Sequence, residues 1–379
     1  MKIVIAMDSF KGSVDSRAAG EAVAAGVARA NAEISTVVVP FADGGEGTVD
    51  AIIAAGGRIC HKQVTGPLGT PVTAAYGIKG EVGVIEMAAA AGLVLVPEGQ
   101  RNPQHTTTYG VGELIKDALD KGCRRLIVGI GGSATNDGGT GMLTALGVRF
   151  LKADGKPVAN GAAELGEIVE IDPAGLDPRL AACEIFVACD VTNPLCGPKG
   201  CSAVYGPQKG ATPEMVAVMD AAMAHYAQKT AAVIVGADEN AKGAGAAGGL
   251  GFAFGAYLGA TLTPGAPLVI AETGLEEKIK AADLVVTGEG RLDGQSAMGK
   301  APVAVAAIAQ KYGKSVLALC GCATPDATAC HALGITAFFP VLQAPMSVAE
   351  AMDSTTAAQN IAATAEQALR LWLTARQYQ

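Results

Sequence analysis

The alternation of short β-branched runs with alanine-rich helical stretches is the feature that most constrains this chain. Residues 3–6 are predicted to form a buried strand, and residues 15–30 a helix with Ala19, Val23 and Val27 on one face. The further predicted strands cover residues 36–39, 126–130, 185–188, 284–287, 316–319 and 335–339. This alternation is typical of parallel α/β architecture rather than of a β-sandwich or a helical bundle.

Helix starts are marked by short polar signals. Each consists of a Ser or Thr that can cap the first turn, followed by Pro or by a Glu or Gln three residues later. The three candidates are Thr212 before Pro213, Ser347 with Glu350, and Thr356 with Gln359.

Two stretches interrupt the alternation. Residues 62–92 contain short extended runs separated by Gly and Pro, as in an antiparallel meander. Residues 147–185 contain two short strand candidates, 148–151 and 168–171, on either side of the Asp154 turn. Both ends of the chain, in contrast, keep the β–α–β pattern.

A chain of 379 residues exceeds one ordinary domain. We therefore expect a doubly wound, Rossmann-like parallel-sheet domain made from residues 1–60 and 282–379, and an inserted mixed α/β domain of residues 61–281. The active site is expected in the cleft between these two domains. A contiguous division near Gly243 is the competing layout.

Charge and composition exclude several classes of protein. The chain has 28 basic and 36 acidic residues, a net charge of −8, so nucleic acid is not expected as a partner. No apolar run approaches the roughly 18 residues of a membrane span, and the first residues do not resemble a signal peptide. Nine Cys and four His form no CxxC zinc pattern. We expect a cytoplasmic monomer or homodimer that acts on a small molecule, with neither membrane nor nucleic acid as a partner.

Glycine-rich loops with polar side chains follow several predicted strands, and open α/β sheets bind their ligands at such strand ends. In DSFKGS at 8–13, Lys11 can meet an anion and the backbone can donate N–H groups, although an Asp-capped turn is the alternative. The loop at 42–48 places two carboxylates, including Asp43, among three glycines. Such a loop is unusual for a simple turn.

The richest loop, at 129–139, contains a GxGxxA match, and Asp154 lies about 20 residues further on, as in a dinucleotide site. The TNDGG insertion at 135–139 argues against that interpretation, because a Rossmann helix should already be running there. A loop that holds a triphosphate through backbone N–H groups and the hydroxyls of Ser133 and Thr135 explains more of these residues.

A fourth loop, at 287–302, contains the GxxxxGK frame of a P-loop at 294–300. Ala301 replaces the usual Ser or Thr, and the first Gly comes seven residues after the predicted strand end. Arg291 nevertheless offers a forked donor, and Lys300 adjoins a predicted helix start at Pro302, so an anion site is favoured over a solvated loop.

Elsewhere, Asp190 ends an apolar strand, where it could cap a turn or act as a general base.

These segments together resemble the bacterial glycerate kinases of the two-domain α/β type. The matching motifs run in order along the chain: DSFKGS at 8–13, ADGGEGT at 42–48, TGPLG at 65–69, GGSATNDGG at 131–139, NPLCGPKG at 193–200, AAGGLG at 246–251 and TGEGRLDGQSAMGKAP at 287–302. The resemblance implies phosphorylation of glycerate that depends on ATP and Mg²⁺, with 2-phosphoglycerate as the product.

On this basis each candidate residue receives an expected role. The expected catalytic residues are Asp190, as proton acceptor, and Lys11. The expected glycerate ligands are Asp8, Ser9, Arg291 and Asn193. The expected nucleotide ligands are Gly131, Gly132, Ser133, Thr135, Asn136 and Lys300. The magnesium candidates are Asp43, Asp137 and Asp293.

Other functions stay open at this point. The GxGxxA match is compatible with an NAD-dependent hydroxy-acid dehydrogenase, and the anion-binding loops are compatible with a kinase of another small hydroxy acid or with a non-enzymatic binding protein. Neither the dehydrogenase nor the binding protein needs five separate loops of this kind.

Overall fold

The computed structural model describes residues 1–296 and 300–376. Within them the chain forms thirteen β-strands: β1 Lys2–Met7, β2 Ser35–Val38, β3 Arg58–Thr65, β4 Pro71–Lys79, β5 Val82–Glu86, β6 Arg125–Gly129, β7 Arg149–Leu151, β8 Glu170–Asp172, β9 Glu184–Ala188, β10 Thr261–Thr263, β11 Leu284–Leu292, β12 Ser315–Ala323 and β13 Ala337–Pro340. The α-helices of the same residues are α1 Ser16–Ala30, α2 Thr48–Ile53, α3 Ala88–Ala91, α4 Tyr109–Asp120, α5 Thr140–Ala145, α6 Cys201–Tyr205, α7 Pro213–Val233, α8 Ala246–Leu258, α9 Gly265–Thr273, α10 Leu275–Lys280, α11 Ala301–Lys311, α12 Val348–Met352 and α13 Ser354–Arg376.

The first of two compact units comprises residues 1–43, 50–56 and 266–379. Its sheet has the order β13-β12-β11-β1-β2, and all neighbouring strands are parallel. Counted along this unit from the β2 edge, the order is 2-1-3-4-5, one of the two common doubly wound arrangements. The predicted parallel α/β class is therefore confirmed. The strand order reverses between β1 and β11.

Apolar residues on one face of this sheet form one buried cluster of the first unit. Ile3 and Ile5 of β1 belong to the same buried cluster as Val23 of α1 and Ile361 of α13. Helix α1 starts where the sequence predicts, because the Asp15 side chain accepts the backbone N–H of Ala18. A Cβ on Gly26 would lie 2.2 Å from the carbonyl oxygen of Ala362, so glycine is what allows α1 and α13 to pack this closely.

The second unit comprises residues 44–49 and 57–265. Its larger sheet has the order β10-β9-β6-β5-β4-β3. Strands β3, β4 and β5 form the predicted antiparallel meander, whereas β5, β6, β9 and β10 are parallel neighbours. The short pair β7 and β8 is antiparallel, in agreement with the second irregular region of the sequence.

Two local predictions are wrong. Strand β11 continues to Leu292 rather than ending at Thr287, because its residues pair with β12 as far as Ala323. Helix α13 begins at Ser354, before Thr356, and the Asp353 side chain accepts the Thr356 N–H. The predicted N-cap at Thr212, followed by Pro213, and the predicted capping box at Ser347 are confirmed. The predicted domain bounds, 1–60 with 282–379 and 61–281, stay a prediction, as does the predicted cleft.

The nine cysteines carry free thiols. Among the described residues no helix combines the length and the apolar character that crossing a membrane requires.

Candidate active site

A pocket of about 480 Å³ lies in the first unit at the carboxyl ends of β1 and β11. Doubly wound sheets bind their ligands at this point, where the strand order reverses. The polar side chains that line the pocket are Asp8, Ser9, Lys11, Ser13, Asp43, Glu289, Arg291, Lys300 and Asn360. The fold therefore brings together the three basic residues that the sequence singled out.

The loop after β1 supplies two unpaired hydroxyl groups to this pocket. The side-chain oxygens of Ser9 and Ser13 are buried, and neither has a hydrogen-bond partner within residues 1–296 and 300–376. Buried polar atoms normally have partners, so an unpaired pair in a pocket indicates a ligand that binds there. With the Lys11 ammonium group in the same loop, the expected ligand is an anion such as a carboxylate or a phosphate.

Carboxylates form the other half of the polar lining. Asp8 is only 5% exposed, and burial, reinforced by the charge of Asp43, raises the pKa of its carboxyl group to about 7. Burial likewise raises the pKa of Glu289, whose carboxylate accepts the Ser296 hydroxyl. A cation that binds beside Asp8, Asp43 and Glu289 would relieve their mutual repulsion.

These carboxylates suit a magnesium ion that is also bound by phosphate oxygens and water. Among the described residues no group of three or more His, Cys, Asp or Glu side chains forms a metal site by itself. Mg²⁺ is usually held by one or two carboxylates together with substrate phosphate oxygens and water, so it does not need a complete protein cage. Asp43, one of the predicted ligands, lines the pocket.

Asp293 holds two of the cations. One carboxylate oxygen lies 3.1 Å from Arg291 Nε, and the other lies 3.9 Å from Lys300 Nζ and accepts the N–H of Gln295 at 2.9 Å. These contacts favour a role in orienting Arg291 and Lys300 over the predicted role as a magnesium ligand, which stays a prediction.

The GxxxxGK frame lies partly outside the described residues, which omit 297–299. Because β11 is longer than predicted, Gly294 follows the strand end by two residues rather than by seven. Helix α11 begins at Ala301 with Pro302 in its first turn, as predicted, and Lys300 is its N-cap residue.

In the second unit, the glycine-rich loop at 130–139 connects β6 to α5, which begins only at Thr140. A dinucleotide site would need a helix to start well before this residue. Gly131 and Gly132 are exposed, whereas Ser133 is buried and Thr135 and Asn136 are completely so. The backbone of the two glycines is thus the accessible part, and the predicted nucleotide contacts of the three side chains stay a prediction.

The Asp137 carboxylate fixes this loop from inside the protein. It is fully buried and accepts the N–H and O–H of Thr108, both at 2.8 Å, and the N–H groups of Gly139 and Gly141. Burial raises its pKa, and these hydrogen bonds act in the opposite direction. The contacts favour a structural role for Asp137, and its predicted magnesium role stays a prediction.

Lys209 is a residue that the sequence analysis missed. It is 2% exposed and donates from Nζ to the Thr135 carbonyl oxygen at 2.6 Å, beneath the same loop. Burial lowers the pKa of its ammonium group to about 8. Its sequence context, PQKG, resembles a solvated turn, so no local signal distinguishes it.

Asp190 and Asn193 follow β9 in the second unit. Asp190 is exposed, and one of its carboxylate oxygens lies 3.4 Å from the backbone nitrogen of Gly265. The Asn193 amide donates to the Lys199 carbonyl of its own loop and accepts the hydroxyl of Tyr205, the last residue of α6. The predicted roles of both residues stay predictions.

The buried Lys209 predicts a pH-dependent stability. Its pKa is about 8 in the folded protein against 10.5 for an ordinary lysine, so the unfolded chain binds the proton more tightly. Folding therefore becomes more favourable as the pH rises from about 8 towards 10.5. Relative to Lys209→Met, the unfolding free energy of the parent protein should rise by up to about 1.4 kcal/mol per pH unit between about pH 8 and pH 10. Urea unfolding at several pH values measures this.

Lys229→Met is the matched control, because Lys229 is only half-buried and also donates to a backbone carbonyl, that of Val169. Its difference from the parent should stay flat over the same pH range. An equally flat difference for Lys209→Met would contradict the assigned burial of the Lys209 charge.

Comparison with known proteins identifies the family. The sequence profile described as "Glycerate kinase family" matches residues 3–373. The chain is 47% identical over 372 residues to glycerate 2-kinase of Escherichia coli K12, covering 96% of this chain and 98% of that protein. It is 46% identical over 356 residues to a glycerate kinase of Bacillus subtilis 168, covering 93% of each. A crystal structure from Salmonella typhimurium LT2, provisionally named glycerate kinase 2, superposes with a TM-score of 0.90 and 46% identity over 100% of both chains. These matches show that the chain belongs to the glycerate kinase family.

Proposed function

We propose that this protein transfers the terminal phosphoryl group of ATP to the 2-hydroxyl group of glycerate, giving 2-phosphoglycerate and ADP. The observation that carries this proposal is the first-unit pocket, which combines serine hydroxyls that lack partners among the described residues, three cations and a buried carboxylate. The name of the E. coli relative, glycerate 2-kinase, supports the 2-position. A cytoplasmic location and a monomeric or dimeric state belong to the same proposal.

Glycerate is held by the loop after β1. Its carboxylate accepts hydrogen bonds from Ser9 and Ser13, whose hydroxyls lack partners among the described residues, and pairs with Lys11. This arrangement leaves the hydroxyl groups of glycerate free to face the carboxylates of the pocket.

Arg291 and Lys300 act on the transferring phosphoryl group. Phosphoryl transfer needs mainly positioning and the neutralisation of developing charge, and both cations are already oriented by Asp293. Asp43 would hold Mg²⁺, which would supply positive charge that offsets the negative charge of the phosphates. The predicted nucleotide-binding role of Gly131 and Gly132, in the second unit, stays a separate prediction.

Asp8 is the proposed proton acceptor for the 2-hydroxyl group. It lines the same pocket as Lys11 and Arg291, and its pKa of about 7 suits a base that works near neutral pH. Asp190, which the sequence predicted for this role, is the second candidate.

The NAD-dependent dehydrogenase alternative is wrong, because the chain belongs to a kinase family and helix α5 starts too late for a dinucleotide site. Phosphorylation of another small hydroxy acid is a possible outcome of the experiment below.

The proposed reaction predicts ADP release that requires both ATP and glycerate, and a product that carries its phosphate on the 2-oxygen. A coupled ADP-release assay with glycerate, other small hydroxy acids and no acceptor measures the first. Phosphorus NMR of the product measures the second. A phosphate on the 3-oxygen would refute the proposed position, and a much higher kcat/KM with another acid would refute glycerate as the substrate.

Asp8→Asn should lower kcat at least about 100-fold while the KM for ATP changes less than about threefold, because a general base mainly affects the chemical step. Asp190→Asn is the comparison and should change kcat less than about tenfold. Circular dichroism checks that both variants fold. The reverse pattern, with Asp190→Asn the slower enzyme, would return the role to Asp190.

A further inference from the structure

One side of the first-unit pocket is apolar and open to solvent. Leu342, Val348 and Met352 line it, and their surfaces are 45%, 75% and 42% exposed. Val348 and Met352 stand at the two ends of α12. Three large apolar side chains exposed around one pocket indicate a surface that a ligand covers.

Glycerate does not account for this apolar wall. Its carboxylate and two hydroxyl groups make it polar on every side, and the cations and serine hydroxyls already match these groups. The pocket volume of about 480 Å³ is also in the range of roughly 300–1,000 Å³ that takes much larger ligands than a three-carbon acid.

We propose that the wall formed by Leu342, Val348 and Met352 binds the nucleoside of the nucleotide co-substrate. This inference rests on the proposed function, since a kinase reaction brings a nucleotide into contact with the acceptor. Like the pocket, the nucleotide has one weakly polar part and one charged part. Its base and ribose present flat, weakly polar surface to the wall, and its phosphates extend toward Arg291 and Lys300.

Asn360 gives the wall a means of recognising the base. It is 8% exposed and lines the same pocket, and its Nδ2 has a weak contact with Met346 Sδ at 4.0 Å. A primary amide offers both a donor and an acceptor, the pair that an edge of a purine base requires. The apolar wall would supply affinity, and Asn360 would supply specificity.

The test replaces apolar surface without adding charge. In the double variant Val348→Asn with Met352→Gln, the KM for ATP should rise about tenfold, since partial loss of two apolar contacts weakens binding by about this factor. The KM for glycerate should stay within about threefold, because none of the groups proposed to bind glycerate is replaced. Leu371→Gln is the matched control: Leu371 is 66% exposed on α13 and does not line the pocket, so both KM values should be unchanged.

Calorimetric titration distinguishes the contribution of the nucleoside to binding from that of the phosphates. The double variant should bind ADP about tenfold more weakly than the parent and should bind inorganic tripolyphosphate equally well. An ADP affinity within about twofold of the parent, or an equal loss for tripolyphosphate, would overturn the inference. If the double variant does not fold, Val348→Asn alone is used, since Val348 is the most exposed of the three side chains and the first residue of α12.

The two proposals fail in distinguishable ways. A parent enzyme that does not phosphorylate glycerate with ATP refutes the proposed function, whatever the variants do. An active parent whose double variant keeps its KM for ATP refutes only the nucleoside site.

Discussion

The reversal of strand order between β1 and β11 is the constraint on which the proposed site depends. Connections between parallel strands are almost always right-handed. The segments that follow β1 and β11 run in opposite directions along the sheet, so they must cross on opposite faces of it. The loops directly after β1 and β11 therefore diverge at the carboxyl edge of the sheet and leave a crevice. The loop of Lys11 and the strand end that carries Arg291 both border this crevice, although they are far apart in sequence.

Placing charges in that crevice has a cost, which the structure offsets by pairing. Arg291 and Lys300 share Asp293, and Glu289 accepts the Ser296 hydroxyl. The charge of the Asp8 carboxylate is the least compensated. Burial and the charge of Asp43 raise its pKa, and the Ser9 N–H and Lys11 oppose this rise only in part. A carboxyl group near its midpoint at neutral pH can exchange a proton readily, whereas the salt-bridged Asp293 is suited to a fixed role. In the second unit, Asp137 of the glycine-rich loop and Lys209 beneath it are both buried and fix the loop through hydrogen bonds to backbone groups.

Local patterns predicted much of this structure. Apolar periodicity and the Asp15 cap predict helix α1, and the Gly and Pro residues between extended runs predict the meander β3 to β5. The basic candidates Lys11, Arg291 and Lys300 line one pocket. Non-local contacts account for what the sequence did not show. Pairing with β12 extends β11 to Leu292 despite its glycines, and tertiary packing turns Thr135 and Asn136 inward and buries Lys209. The lack of partners for the Ser9 and Ser13 hydroxyls within residues 1–296 and 300–376 depends on segments that meet only in the folded chain, and so does the wall formed by Leu342, Val348 and Met352.

The most direct test of the account is a crystal structure of the protein with ADP, Mg²⁺ and glycerate bound. The account predicts the glycerate carboxylate at hydrogen-bonding distance, about 2.7–3.2 Å, from the Ser9 and Ser13 hydroxyls or Lys11 Nζ, with the nucleoside against Leu342, Val348 and Met352. Glycerate bound away from the loop after β1, with the first-unit pocket holding neither ligand, would contradict it.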